Sequence, residues 1–265
     1  MKTIQTTRKG AIRSKDVPVE ILQLLNNGTI ESVNLTEWLA VNHFELLEHV
    51  LSGYPEQLRV CRHNTAQLNS PSVRQLIIEI GRTLSKEMSS NPNPELFNYL
   101  VGHPSDSVRC WAAYIVGFNP LKSLGEKLSD IYVLAADKHF GVREIAWMAL
   151  RDDVNNALLA AVNLLKEWAI SDNENIRRFA VEILRPRGVW CKHIELVKTN
   201  PEIALPVLES VKADPSEYVR LSVGNWLNDA GKTNLDWVFQ LCNRWAKEDQ
   251  SIETSKILKR ARRNL

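Results

Sequence analysis

Glycine and proline are scarce in this 265-residue chain, at 11 each, which excludes a loop-rich all-β protein and a disordered one alike. Cysteine is scarcer still. Cys61, Cys110, Cys191 and Cys242 are scattered, with no two at the close spacing that pairs zinc ligands, so each is expected to behave as a small buried apolar residue in a reducing cytosol. The histidines at 43, 49, 63, 103, 139 and 193 form no HxxxH or HExxH pattern, and there is no nucleophile elbow and no glycine-rich phosphate loop. No run of about 18 apolar residues could cross a bilayer, and no apolar segment follows the basic start to make a signal peptide. Nothing alternates with a period of two over a strand's length. These absences point to a soluble all-α protein of the cytoplasm that uses neither metal nor cofactor.

What is present is a repeat. Ser70-Pro71-Ser72-Val73-Arg74, Ser105-Asp106-Ser107-Val108-Arg109, His139-Phe140-Gly141-Val142-Arg143, Asn173-Glu174-Asn175-Ile176-Arg177 and Ser216-Glu217-Tyr218-Val219-Arg220 each join a turn or capping residue to an aliphatic residue and an arginine. The arginines step by 35, 34, 34 and 43 residues. A unit of that length holds two short helices, and neither buries its apolar face alone, so neighbours must stack into a continuous core. One array over residues 17–265 is therefore expected after a basic flexible arm over residues 1–16. With 44% hydrophobic residues the chain has ample material for that core.

Charge is unevenly placed although the net value is only +2. Lys2, Arg8, Lys9, Arg13 and Lys15 make the start basic, Lys256, Lys259, Arg260, Arg262 and Arg263 do the same at the end, and the body between is net acidic. A polyanion would have to be met by local patches and basic ends. Each repeat arginine has two possible uses. It can pair with an acidic group of a neighbouring repeat, such as Asp106, Asp137, Glu174 or Asp214, or it can present a guanidinium for phosphate.

Prolines mark breaks at Asn91-Pro92-Asn93-Pro94, Gly102-His103-Pro104, Asn119-Pro120, Pro186, Asn200-Pro201 and Asp214-Pro215. Pro18 opens a short helix with apolar positions Val19, Leu22 and Leu25, which Asn26-Asn27-Gly28 ends, and the pattern predicts one further helix from Thr36 to Leu51. Residues 173–192 stand apart. They place Arg177, Arg178, Arg185, Arg187 and Lys192 around Glu182 and Trp190, and Pro186 interrupts the helix where the repeat step lengthens. Trp38, Trp111, Trp147, Trp168, Trp226, Trp237 and Trp245 fall on apolar helical faces and read as packing residues.

Arg177-Arg178-Phe-Ala-Val-Glu182-Ile-Leu-Arg185-Pro186-Arg187-Gly-Val-Trp190, followed by Asp214-Pro-Ser-Glu-Tyr218-Val-Arg220-Leu-Ser-Val-Gly-Asn225-Trp-Leu-Asn228-Asp229, resembles the core of the HEAT-like-repeat DNA alkylation repair family, whose characterised members AlkC and AlkD are alkylpurine DNA glycosylases. Similarity to the AlkC branch extends more weakly over about residues 70–265. The resemblance implies a right-handed α-solenoid of about six stacked HEAT-like helix pairs with a concave face, acting as a monomer on alkylated or distorted double-stranded DNA and nucleoid-associated when bound. It implies Asp229, Glu182 and Trp190 as catalytic residues, with Arg143, Arg177, Arg178, Arg185, Arg187, Lys192, Arg220 and Arg260 on DNA. An earlier glutamate of the AlkC pattern falls on His139 here, with Glu144 just past Arg143, and no immunoglobulin-like module follows residue 265.

That chemistry is physically coherent. An alkylated purine is cationic and leaves readily, and cleavage develops positive charge on the sugar, which a nearby carboxylate stabilises. A carboxylate also orients the attacking water, and a tryptophan face favours a cation. Two other readings stay open: a DNA-binding relative without excision activity, and a peptide-binding helical scaffold.

Overall fold

Side-chain caps start several of the helices in the computed structural model, which describes residues 8–264 and contains no strand among them. Asn34 accepts from Glu37 N, Asn93 from Leu96 N and Asn173 from Asn175 N, while Ser72 with Gln75 and Ser123 with Glu126 form reciprocal capping boxes. Each satisfies donors that the first helical turn leaves orphaned.

The helices fall into two compact units, Met1–Ala149 and Leu150–Leu265. The first contains α1 (Val19–Asn26), α2 (Leu35–Ala40), α3 (His43–Val50), α4 (Pro55–Ala66), α5 (Val73–Ser90), α6 (Pro94–Val101), α7 (Asp106–Gly117), α8 (Leu124–Ala135) and α9 (Phe140–Ala149). Here α7 packs against both α5 and α9, and α4, α6 and α8 are their partners in the pairs. Every residue of α7 is buried, as a helix flanked on all sides requires. Ile77, Ile80, Leu84, Leu96, Leu100 and Trp111 fill this core without exposure, each aliphatic side chain contributing about 1.5–3 kcal/mol by burial.

The second unit contains α10 (Arg151–Asn156), α11 (Leu158–Ala169), α12 (Glu174–Ile183), α13 (Glu195–Thr199), α14 (Leu205–Ser210), α15 (Glu217–Gly231), α16 (Leu235–Glu248) and α17 (Ile252–Ala261). Its stack runs α12, α15, α17, with α11, α14 and α16 packed alongside. Arg74, Arg109, Arg143, Arg177 and Arg220 all lie in the first turn of a stacking helix, as the repeat spacing predicts. The step of 43 residues accommodates the long connection after Ile183, α13 and a short 3-10 turn at Pro201–Ala204.

One expected helix is two. Thr36 to Leu51 breaks at Val41 and Asn42, because the Asn42 side chain accepts from Phe44 N and Glu45 N and starts α3 afresh. Residues 1–7 of the expected arm, Lys2 among them, lie outside the described residues. Residues 8–16 run along α2: Arg8 donates from Nη2 to Glu37 Oε2 at 2.7 Å and to the Glu31 carbonyl at 2.6 Å, and Asn34 donates to the Ala11 carbonyl. No helix is long and apolar enough to cross a membrane, among the described residues.

Candidate active site

Four of the repeat arginines share one local device. Nη1 of Arg109 donates to the carbonyls of His103 and Pro104, Nη1 of Arg143 to Asp137 and Lys138, Nη1 of Arg177 to Ser171 and Asp172, and Nη1 of Arg220 to Asp214 and Pro215. In every case the acceptors lie six and five residues earlier, in the turn that enters the helix. One guanidinium nitrogen closes the turn onto the helix that follows it, and its donors in other directions stay available for a second partner, which the point charge of lysine does not offer. The rest of the fork joins neighbouring repeats. Arg109 Nε donates to Asp137 Oδ2 at 2.8 Å and Arg177 Nε to Asp214 Oδ2 at 2.6 Å, while Asp137 and Asp214 also accept from the His139 and Ser216 amides. Three of the residues singled out for DNA, Arg143, Arg177 and Arg220, thus each make these structural bonds.

The two candidate carboxylates meet on one guanidinium in the second unit. Glu182 lies on the buried face of α12 and is 2% exposed, and Asp229 near the end of α15 is 6% exposed. Arg185, just past α12, donates from Nη1 to Glu182 Oε2 at 3.2 Å and from Nε to Asp229 Oδ2 at 3.1 Å. Burial opposes its charge, yet Glu182 and Asp229 beside it hold Arg185 above the usual arginine range. Glu182 also accepts from Ser222 Oγ at 2.7 Å and lies 3.5 Å from Arg178 Nη2, so both its oxygens are engaged. Asp229 Oδ1 faces Lys232 Nζ at 2.8 Å, and that lysine is nearly half exposed. Buried carboxylates held this way keep a fixed direction, as electrostatic stabilisation of a forming cation requires.

Trp190 stands on the connection that rises from the same helix end. The α12 helix stops at Ile183 before Pro186, and the Ile194 amide donates to the Pro186 carbonyl at 3.2 Å, closing the loop. Gly188 is obligatory in it, because a Cβ there would sit 2.3 Å from the Cys191 carbonyl oxygen. Trp190 is 42% exposed beside the still more exposed Val189. Around this loop lie Arg187, whose Nε donates to the Asp229 carbonyl at 3.2 Å, and the exposed Lys192. Arg178 stacks over the Tyr218 ring at 4.3 Å from its centroid. Arg260 of α17 lies against Gly224, where a Cβ would meet its side chain at 2.8 Å, and donates from Nε to Asn225 Oδ1 at 2.8 Å.

Three neighbours of the carboxylates escape a reading by motif: Ser222, Lys232 and Arg151. Ser222 and Lys232 lie seven residues before and three after Asp229, both helical spacings, a signal that exists only once Asp229 is known to face inward. Arg151 sits outside every motif.

His139 belongs to the first unit and is buried. Its Nε2 bonds the Ser32 carbonyl at 2.8 Å, its Nδ1 accepts from the Gly141 amide at 3.1 Å, and Asp106 lies 3.5 Å away and accepts from Ser32 Oγ at 2.6 Å. The position of the earlier glutamate is therefore closed over by the segment around Ser32. Glu144 accepts from Trp147 Nε1 at 3.0 Å. No group of three or more His, Cys, Asp or Glu side chains is gathered to hold a metal ion, among the described residues.

Comparison with known proteins places these features in a family context. Residues 141–264 match the family model described as DNA alkylation repair enzyme. The uncharacterized protein YhaZ of Bacillus subtilis (strain 168) is 40% identical over 101 residues, 38% of this chain and 28% of that protein. Pseudomonas fluorescens alkylpurine DNA glycosylase AlkC, in a structure bound to DNA containing an abasic site analog, superposes with a TM-score of 0.61 at 22% identity, covering 96% of this chain and 65% of AlkC. AlkD2 from Streptococcus mutans gives 0.58 at 23% identity, covering 80% of this chain and 98% of AlkD2. The chain spans less than two thirds of AlkC, and the matched part of YhaZ is little over a quarter of its length. The structural likenesses establish the helical-repeat fold.

Proposed function

We propose, from the match of residues 141–264 to the DNA alkylation repair enzyme family model, that this protein belongs to that family, binds alkylation-damaged duplex DNA and excises cationic alkylpurines by hydrolysis of the N-glycosidic bond. The observation that carries this reading is the sharing of Arg185 by two buried carboxylates, Glu182 and Asp229, beside a loop that exposes Trp190.

Each residue has a role that suits its surroundings. Asp229, with Oδ1 towards the exposed Lys232, is the carboxylate that stabilises positive charge growing on the sugar and orients the water. Glu182, with both oxygens engaged, acts electrostatically from behind it. Trp190 offers its π face to the cationic nucleotide. Arg187, Lys192 and Arg260 take phosphates, and Arg177, Arg178, Arg185 and Arg220 support that surface while adding to its positive field, with Arg143 assigned to DNA within the first unit. Release of methylated purine from duplex DNA by the purified protein tests the proposal. A wild-type protein that binds the duplex and frees no base overturns it.

A second reading is favoured by His139, buried under Ser32 where the AlkC pattern has a glutamate. It describes a family member that recognises distorted DNA through phosphates without excision. Its signature is affinity falling steeply with salt and no base release.

A further inference from the structure

The connection that carries Arg187 and Trp190 begins where α12 leaves its last carbonyls without helical partners. Arg151, at the first position of α10 and 2% exposed, supplies most of what is needed. It donates from Nη1 to the Ile183 carbonyl at 2.8 Å, from Nη2 to the Arg185 carbonyl at 2.6 Å and from Nε to the Lys192 carbonyl at 3.0 Å. Trp226 Nε1 donates to the carbonyl between them, Leu184, at 2.9 Å. Three consecutive carbonyls at the helix end each receive a side-chain donor, and the same guanidinium reaches the far end of the loop.

This arrangement needs arginine. Three donors pointing in three in-plane directions match three carbonyls, whereas a lysine ammonium on its flexible stem could hold one end of the loop only. The cation also suits the negative end of α12. Burial, the largest influence on it, pushes Arg151 below the usual arginine range, a cost that the three carbonyl bonds offset.

We propose that Arg151 is the positioning residue of this site, clamping the end of α12 and both ends of the loop so that Trp190 and Arg187 keep a fixed relation to Glu182 and Asp229. Its consequence for catalysis rests on the glycosylase reading; its consequence for the loop does not.

Arg151→Lys and Arg151→Met are compared with wild type, each labelled with 5-fluorotryptophan and followed by 19F NMR, with the Trp190 resonance assigned through Trp190→Phe. Hydrogen exchange over residues 185–193 and the kinetics of base release from methylated duplex DNA complete the comparison. The clamp predicts folded variants in which the Trp190 resonance alone shifts or broadens, exchange across the loop rises about tenfold or more, and kcat falls about tenfold or more with KM little changed, since displacing an aligned group by an ångström has that size of effect. A folded Arg151→Lys protein with wild-type Trp190 signal and loop exchange overturns the proposal, as does one with a loosened loop and full kcat. Loss of fold in both variants also overturns it, because Arg151 would then be a core residue of the unit. Absence of base release from the wild type would instead remove the glycosylase reading, leaving NMR and exchange to decide the clamp.

Discussion

Arg185 and Asp229, 44 residues apart, meet as a part-buried ion pair whose cation also holds Glu182. Neither carboxylate is paired by chance of surface proximity. Removing the shared cation leaves Glu182 with Arg178 and Asp229 with Lys232 as their remaining cations, so Arg185→Met should cost about 3 kcal/mol of stability. Chemical denaturation of the variant checks this. A loss under 1 kcal/mol would mean that water already reaches the pair.

Asp229→Asn keeps the size of the side chain and removes its charge. Base release under single-turnover conditions is expected to fall about 100-fold with duplex affinity preserved. Glu182→Gln, buried among Arg178, Arg185 and Ser222, should lose both rate and stability, and the contrast between the two separates a group facing substrate from one behind it.

Arg187 and Lys192 should act on DNA through their charge. Replacing either with alanine is expected to weaken binding to damaged and undamaged duplex alike and to lower the slope of log affinity against log salt by about 1. Arg220→Ala should instead lower stability, because its Nη1 holds the carbonyls of Asp214 and Pro215. Fluorescence anisotropy over a salt series, beside thermal denaturation, tests both halves.

Acid should loosen the first unit through two buried histidines. His43 is pushed down to about 3 by burial, and its Nδ1 accepts from Trp111 Nε1 at 3.1 Å; His103 is pushed down to about 4 by burial and by Arg109, and its Nδ1 accepts from the Ser105 amide at 3.0 Å. Both bonds need the unprotonated nitrogen. Between about pH 6.5 and these values the unfolded chain binds protons that the folded one refuses, so stability falls as pH drops through that window. Urea midpoints should decline from pH 7 to pH 4.5, and His43→Gln should flatten the decline. An unchanged slope in that variant would exclude His43 as its source.

The parts of this architecture that were legible in the sequence are those encoded locally. The recurrence of an aliphatic residue and an arginine located the stacking helices, and the spacing of Arg178, Glu182 and Arg185 along α12 placed Glu182 within reach of both cations. What escaped depends on side-chain bonds that apolar periodicity does not report, some of them local and some between distant elements. Asn42 looked like one residue within a helical pattern, yet its side chain outcompetes the backbone and splits the helix. The repeat arginines left acid pairing and phosphate binding both open; Arg109 and Arg177 pair with Asp137 and Asp214, while the carbonyls of their own turns went unread as acceptors. Arg151 and Ser222 carried no pattern at all, since their partners come from other elements.

The arginine hook encloses only the turn and first coil of its own helix, six residues from carbonyl to guanidinium. Extra chain placed outside that interval leaves the hook untouched. The connection between α12 and α15 could therefore grow, acquiring Pro186, Trp190 and α13, while the repeat on either side kept its geometry. Modularity of this kind lets a stacked array lengthen one junction without renegotiating the fold that carries it.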